Sequence, residues 1–219
     1  MPARQLTLGL LRPRFQSLEN FVAGPNGAAL AAVQELAAGR GPQFVYLWGP
    51  EGCGRTHLLT ALGGALAPGV PAWRERGGLY VVDDVQRLDE PDQARLFALL
   101  NEVRSDPAAR LLAAGDEPPA RLRLREDVRT RLAWGLALSL QVLSEQDKVD
   151  ALLALAAQRG VRVSADLVPY MLAHLPRDMR TQAAILEALD AFALEQGRAL
   201  TVPLLREWLK AQDSRMRNA

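Results

Sequence analysis

With a single cysteine, Cys53, and two isolated histidines, His57 and His174, the 219-residue chain has little material for disulfide or metal chemistry. One thiol excludes an internal disulfide framework, and histidines so placed give no metal-ligand spacing. A reducing compartment fits that usage. No segment approaches the uninterrupted apolar length needed to cross a bilayer, and the N-terminal stretch, with Arg4, is broken early by Pro13. The expected location is the cytoplasm, with no membrane partner. Charge of one sign is also missing: 26 Lys and Arg balance 25 Asp and Glu, for a formal charge of +1. No bulk attraction to nucleic acid is therefore written into the composition, and any such contact must be local. What is present is apolar, 49% of the residues, enough for one good core and a small appended lobe.

The most informative segment is the run Gly49, Pro50, Glu51, Gly52, Cys53, Gly54, Arg55, Thr56, which follows the apolar stretch Phe44–Trp48 and precedes a leucine-rich helix. Strand, glycine loop and helix in that order form a phosphate cradle. Glycines 49, 52 and 54 let successive backbone N–H groups turn onto a polyphosphate, and the Thr56 hydroxyl is placed to hold its Mg²⁺. ADP or ATP is the expected ligand. Arg55 stands where a P-loop has lysine, and its planar fork replaces a compact point charge. Binding is expected, and fast hydrolysis by the chain itself is not. The backbone N–H of His57 also faces the phosphates in this reading, with its ring packed or solvated.

Apolar runs at 44–48, 79–82, 111–114 and 136–140 alternate with helical patterns from residue 55 and around 92–104. Such alternation predicts an α/β unit with a parallel sheet. After Val142 the strands stop. The segment Ser144-Glu145-Gln146-Asp147 resembles a capping box opening a helix to about residue 159. Further helices are expected from Ser164 to Pro176, from Arg177 to Gly197, and from Thr201 onward. The expected organisation is a tail (1–14), an α/β base (15–142) and a helical lid (143–219). A second motif, Leu79-Tyr80-Val81-Val82-Asp83-Asp84-Val85, ends a buried strand on two carboxylates. Beside a glycine loop these form the acidic half of the site: Asp83 orients the Mg²⁺ shell, and Asp84 orients or deprotonates an attacking water.

These motifs, followed by LLAAGDEPP (111–119), VRTRLAWGL (128–136) and LPRDMRT (175–181), resemble the AAA+ module of the DnaA-like family, from about Phe15 to Lys210. The likeness is strongest to the family's Hda branch, whose members are regulatory inactivators of the initiator DnaA, because QLTLGL (5–10) precedes the module and no DNA-binding domain follows the lid. The resemblance implies a P-loop base plus C-terminal lid. It makes Asp116 a sensor of the γ-phosphate or its water and Arg131 an arginine finger presented in trans. Arg180 becomes a second sensor touching nucleotide from the lid, and Phe21 and Val22 cover the adenine. Gln5, Leu6, Thr7, Leu8, Gly9 and Leu10 resemble a motif that docks on the DNA polymerase III sliding clamp (β subunit), with Gly9 where proline is usual. The implied function is clamp-docked stimulation of ATP hydrolysis on DnaA, with no direct sequence-specific DNA binding and a homodimer left open. The alternative is a self-sufficient AAA+ ATPase acting as a helicase-loader-like remodeller.

One departure from the family lies between the cradle helix and the acidic strand. The intervening residues 66–78 are too few for a parallel strand and its return crossover. The edge strand expected near residues 70–74 is therefore lost, or antiparallel and rudimentary. Trp134 and Gly135 read as a buried anchor and a tight turn, Cys53 as a variable loop position, and His174 as a lid surface residue.

Overall fold

The computed structural model describes residues 16–64, 66–74 and 76–217, with side chains as far as residue 212. Within them the chain divides into two compact units, one ending at Leu143 and the other starting at Ser144. The first unit runs α1 (Gly27–Ala37), β1 (Phe44–Trp48), α2 (Arg55–Gly63), β2 (Leu79–Val82), α3 (Glu90–Ser105), β3 (Arg110–Gly115), α4 (Glu126–Leu132) and β4 (Leu136–Ser139). The sheet is parallel throughout, in the order β2-β3-β1-β4.

Strands β1 and β3 are nearly continuous apolar runs because both of their faces are covered. Phe44, Tyr46, Leu111 and Ala113 point to one side, into a core with Leu96, Leu100 and Val103 of α3 and Val128 of α4. Val45, Leu47, Leu112 and Ala114 point to the other, against Val33 and Leu36 of α1 and Leu58 and Leu59 of α2. Alternation along each strand thus builds two helix layers around one sheet. Helix α3 starts at Glu90, two residues before the periodicity suggests, because the Asp89 carboxylate accepts from the Asp92 N–H at 2.9 Å.

Among the described residues, 66–74 contain no strand, so β2 is an edge. The loss of the edge strand matches the shortness of the connection. Irregular chain packs on the face of β2 instead: the Trp73 ring stacks on Tyr80 at 5.1 Å and 17°, and the Arg74 N–H donates to the Tyr80 hydroxyl at 3.1 Å.

The second unit comprises α5 (Glu145–Gln158), α6 (Leu167–His174), α7 (Met179–Gln196) and α8 (Val202–Arg217). Its start is a reciprocal capping box: the Asp147 N–H donates to Ser144 Oγ at 3.1 Å, and the Ser144 N–H donates to the Asp147 carboxylate at 2.9 Å. Helix α6 begins at Leu167, later than Ser164. The Ser164 N–H is taken by Leu200 O at 2.9 Å beside a bridge between Val163 and Leu200, which holds that segment extended. Asp178 caps α7 through the Thr181 N–H at 2.8 Å, and Gly197 ends it in the left-handed region (φ +61°). Leu152, Leu167, Met171, Ile185, Leu189, Leu205 and Trp208 form the core of this unit.

One buried polar residue fastens the first unit in a way no periodicity announces. Asn26, 2% exposed, donates from Nδ2 to Gln141 O at 2.9 Å and accepts from the Gln141 N–H at 2.8 Å. It ties the turn ahead of α1 to the chain leaving β4. Asn26→Ala is expected to cost about 1–2 kcal/mol of stability, since it removes both bonds of a backbone-mimicking pair. Urea unfolding followed by the emission of Trp48, Trp73 and Trp134 checks this.

Candidate functional site

Parallel strands bring the carboxyl ends of β1, β2 and β3 to one edge of the sheet. From neighbouring β1 and β3 the chain departs in opposite directions, which opens a crevice at that edge. The glycine loop leaves β1 there. A Cβ on Gly49 would lie 2.3 Å from Leu140 O, so only glycine fits. Gly52 and Gly54 take φ +81° and +100°, a region that glycine enters without steric cost. A Cβ on Gly54 would also meet the Phe21 ring at 2.7 Å, and that ring stands edge-on to His57 at 5.3 Å. Phe21 therefore packs on the loop. His57 is packed as well, its Nε2 lying 3.0 Å from Ser17 O. Val22 is half-buried in the same segment, whereas Pro50 and Glu51 are exposed.

Two hard oxygen donors meet beside the loop. The Thr56 hydroxyl donates to Asp83 Oδ2 at 2.8 Å, and Asp83 Oδ1 accepts from the Asp84 N–H at 2.8 Å. A hydroxyl and a carboxylate in contact suit Mg²⁺, which binds through few protein oxygens and completes its shell with water and phosphate. Asp84 adopts a left-handed conformation (φ +48°), rare for a residue other than glycine. Its carboxylate accepts from Gln86 Nε2 at 3.0 Å and pairs with Arg87 at 3.2 Å, the arginine largely in solvent. The Arg87 pair contributes little energy.

Asp116 is exposed directly after β3, where the motif order puts it. Beneath it is a residue that sequence reading passes over as core. The buried Tyr46 hydroxyl donates to Glu117 O at 2.8 Å, and a Cβ on Gly115 would come within 2.2 Å of that oxygen. Tyr46 thus props the turn carrying Asp116. Burial drives its phenol well above the ordinary tyrosine range, Asp116 adds to the rise, and Arg55 opposes it. Arg55 itself is half-buried, and its Nη1 is enclosed without a hydrogen-bond partner among the described residues. A cationic N–H left so is what an anion in the cradle would satisfy. The Cys53 thiol is buried and pushed up by desolvation, against a smaller pull from Arg55, so it is an unreactive packing group.

Arg131 lies on α4, half-buried against α3. Its Nε donates to Asn101 Oδ1 at 3.0 Å and its Nη1 to Asp127 O at 2.9 Å. The guanidinium carbon sits 4.0 Å from the Phe97 ring centre and 5.1 Å from that of Trp134. Trp134, which reads as a plain anchor, also receives Arg104 at 4.1 Å and meets Phe44 edge-on. Gly135 is forced by a 2.0 Å approach of its would-be Cβ to Phe44 O. In the second unit Arg180 is exposed in the first turn of α7, and His174 is an exposed surface residue stacked on Tyr170 at 4.1 Å. Gln5, Leu6, Thr7, Leu8, Gly9 and Leu10 lie outside the described residues.

With this geometry in place, two family models match the chain. The bacterial DnaA ATPase domain matches residues 11–75, and the Hda lid domain matches residues 145–209, together more than half of the sequence. The chain is an Hda/DnaA-like AAA+ protein. As a DnaA-related member of a replication-initiation family it shares its fold with solved AAA+ structures. Domain III of the Thermotoga maritima replication initiation protein DnaA superposes with a TM-score of 0.64 at 21% identity, covering 92% of this chain and 98% of that one. AMPPCP-bound DnaA from Aquifex aeolicus gives 0.60 at 19%, covering 95% and 71%. The RuvB Holliday junction branch migration motor of Thermotoga maritima gives 0.56 at 18%, covering 92% and 72%. Among the described residues no helix is long and apolar enough to cross a membrane.

For the Hda/DnaA-like base, the Tyr46 phenol gives a pH prediction. Because its folded value is raised, its stabilising contribution is complete below the unfolded tyrosine value of about 10 and is lost as pH climbs toward the folded one. Stability measured across that alkaline range should fall for the wild type, and Tyr46→Phe should remove this component. At neutral pH the same substitution should cost about 1 kcal/mol through the lost bond to Glu117.

Proposed function

We propose that this protein is a nucleotide-bound regulator of replication initiation that docks on the polymerase sliding clamp and stimulates hydrolysis of ATP held by the initiator DnaA. The observation that carries the reading is the Hda lid match at 145–209, joined to a DnaA-type base whose α4 bears Arg131. In this reading ADP or ATP sits on the Gly49 to Gly54 loop. Arg55 pairs with its phosphates, Thr56 and Asp83 hold Mg²⁺, and Phe21 and Val22 border the base. Asp116 and Arg180 sense the phosphate end, and residues 5–10 engage the clamp. The Aquifex aeolicus DnaA relative carries AMPPCP, which supports a nucleotide here.

Phosphoryl transfer is catalysed mostly by position and charge, and a guanidinium lent by a neighbour contributes on the order of 10³–10⁵ in rate. Arg131 is suited to lend one because its plane is already fixed by Asn101 and Phe97 while further N–H donors stay unpaired among the described residues. A cradle with arginine in place of lysine then serves to set the shape of the regulator, and the chemistry is exerted on its partner. A homodimer remains compatible with this reading, and the protein is expected to act in the cytoplasm without reading DNA sequence directly. The paired Thr56 and Asp83, with Asp84 beside them, favour a second reading, a self-sufficient AAA+ remodeller.

DnaA-bound ATP hydrolysis, measured with DNA-loaded clamp, separates the two. Arg131→Ala should abolish the stimulation, and deletion of residues 1–10 should abolish clamp binding while leaving nucleotide binding intact; undiminished stimulation by Arg131→Ala refutes the assignment. Steady turnover by the chain alone, lowered by Asp84→Asn, would establish the second reading. Arg55→Ala should reduce the rise in melting temperature produced by millimolar ADP, read by thermal unfolding.

A further inference from the structure

The side chains around Arg131 do more than bury its stem. Asn101, half-buried one turn beyond Phe97 on α3, takes the Nε proton at 3.0 Å, and the Phe97 ring lies under the guanidinium at 4.0 Å. Asp127 O takes one Nη1 proton at 2.9 Å. An Nε bond, a ring contact and a carbonyl define the guanidinium plane, and these contacts leave the other Nη donors unpaired among the described residues. Asp127, the nearest carboxylate in sequence, is occupied by Arg125 at 2.7 Å, so its charge does not neutralise Arg131. The site has the form of a cation held in one orientation by neutral groups.

We propose that Asn101 is a positioning residue that presets the Arg131 guanidinium, backed by Phe97, for a triphosphate on a partner; this rests on the reading of Arg131 given above. A free arginine side chain must give up its rotamer freedom when it meets phosphate, and that loss falls in the transition state if the side chain is ordered only there. Asn101 orders it beforehand. A neutral amide does this without withdrawing charge, which an aspartate or glutamate would do.

The test uses the full chain with DNA-loaded clamp and ATP-bound initiator, comparing wild type, Asn101→Leu, Asn101→Asp and Arg131→Ala. Asn101→Leu removes the acceptor at similar volume and should lower the maximal stimulated rate about tenfold, equivalent to about 1.4 kcal/mol. The concentration giving half-maximal stimulation should not move. Asn101→Asp keeps the acceptor and should retain more stimulation than Asn101→Leu. In ¹⁵N-arginine spectra of the purified chain, the Arg131 Nε–H signal should be rigid in the wild type and mobile in Asn101→Leu, a readout that a purely structural role for Asn101 would leave unchanged. Full stimulation by Asn101→Leu beside an inactive Arg131→Ala overturns the proposal and leaves the reading of Arg131 standing. Full stimulation by Arg131→Ala removes both.

Discussion

Strand β1 is the constraint to which the nucleotide edge is referred. It pairs on both sides, with β3 and β4, it is buried on both faces, and the Tyr46 hydroxyl that must reach Glu117 O marks its register. The glycine loop starts where this strand ends. Tyr46, inside it, sets the height of the turn after β3, because a hydroxyl bonded to Glu117 O and pressed against Gly115 admits no side chain there. Loop and sensor turn are thereby held by β1, and the acidic strand end joins them through β3, the shared neighbour of β1 and β2, which is how a precise site is built from irregular segments.

Much of this was legible in the sequence, for physical reasons. Strands covered on both faces are continuous apolar runs, and for β1 and β2 the runs and the strands coincide; glycine at 49, 52 and 54 announces backbone that other residues would strain. Chain length alone excluded a parallel edge strand and left it either lost or antiparallel and rudimentary, and the structure has it lost. Less legible were contacts between residues far apart in sequence. Asn26 and Gln141, or Tyr46 and Glu117, obey no period, since they pair a side chain with a backbone group 115 and 71 positions away. The late start of α6 was hidden for the same reason: its cause is a bridge to Leu200. Tyr46 offered one clue, a phenol within a strand otherwise without polar groups, because a buried hydroxyl needs a partner.

Two arginines divide the electrostatics of the base. Arg55 points a donor into an enclosed position that no group of the described chain satisfies, whereas Arg131 is tethered by an amide and a ring on the neighbouring helix and by a carbonyl of its own. The first arrangement favours an anion brought in as a ligand. The second fixes direction while preserving charge. Neither difference could be read from the residue type, because an arginine acts according to which of its donors the fold has already used.

The aromatic cover over β2 has a consequence for how such modules can be shortened. Trp73 packs on Tyr80 from a few irregular residues where an additional strand and crossover would otherwise stand. The four remaining strands keep their parallel pairing without that peripheral element. Shortening at this margin thus leaves the strand ends that carry the glycine loop, Asp83 and Asp116 in place.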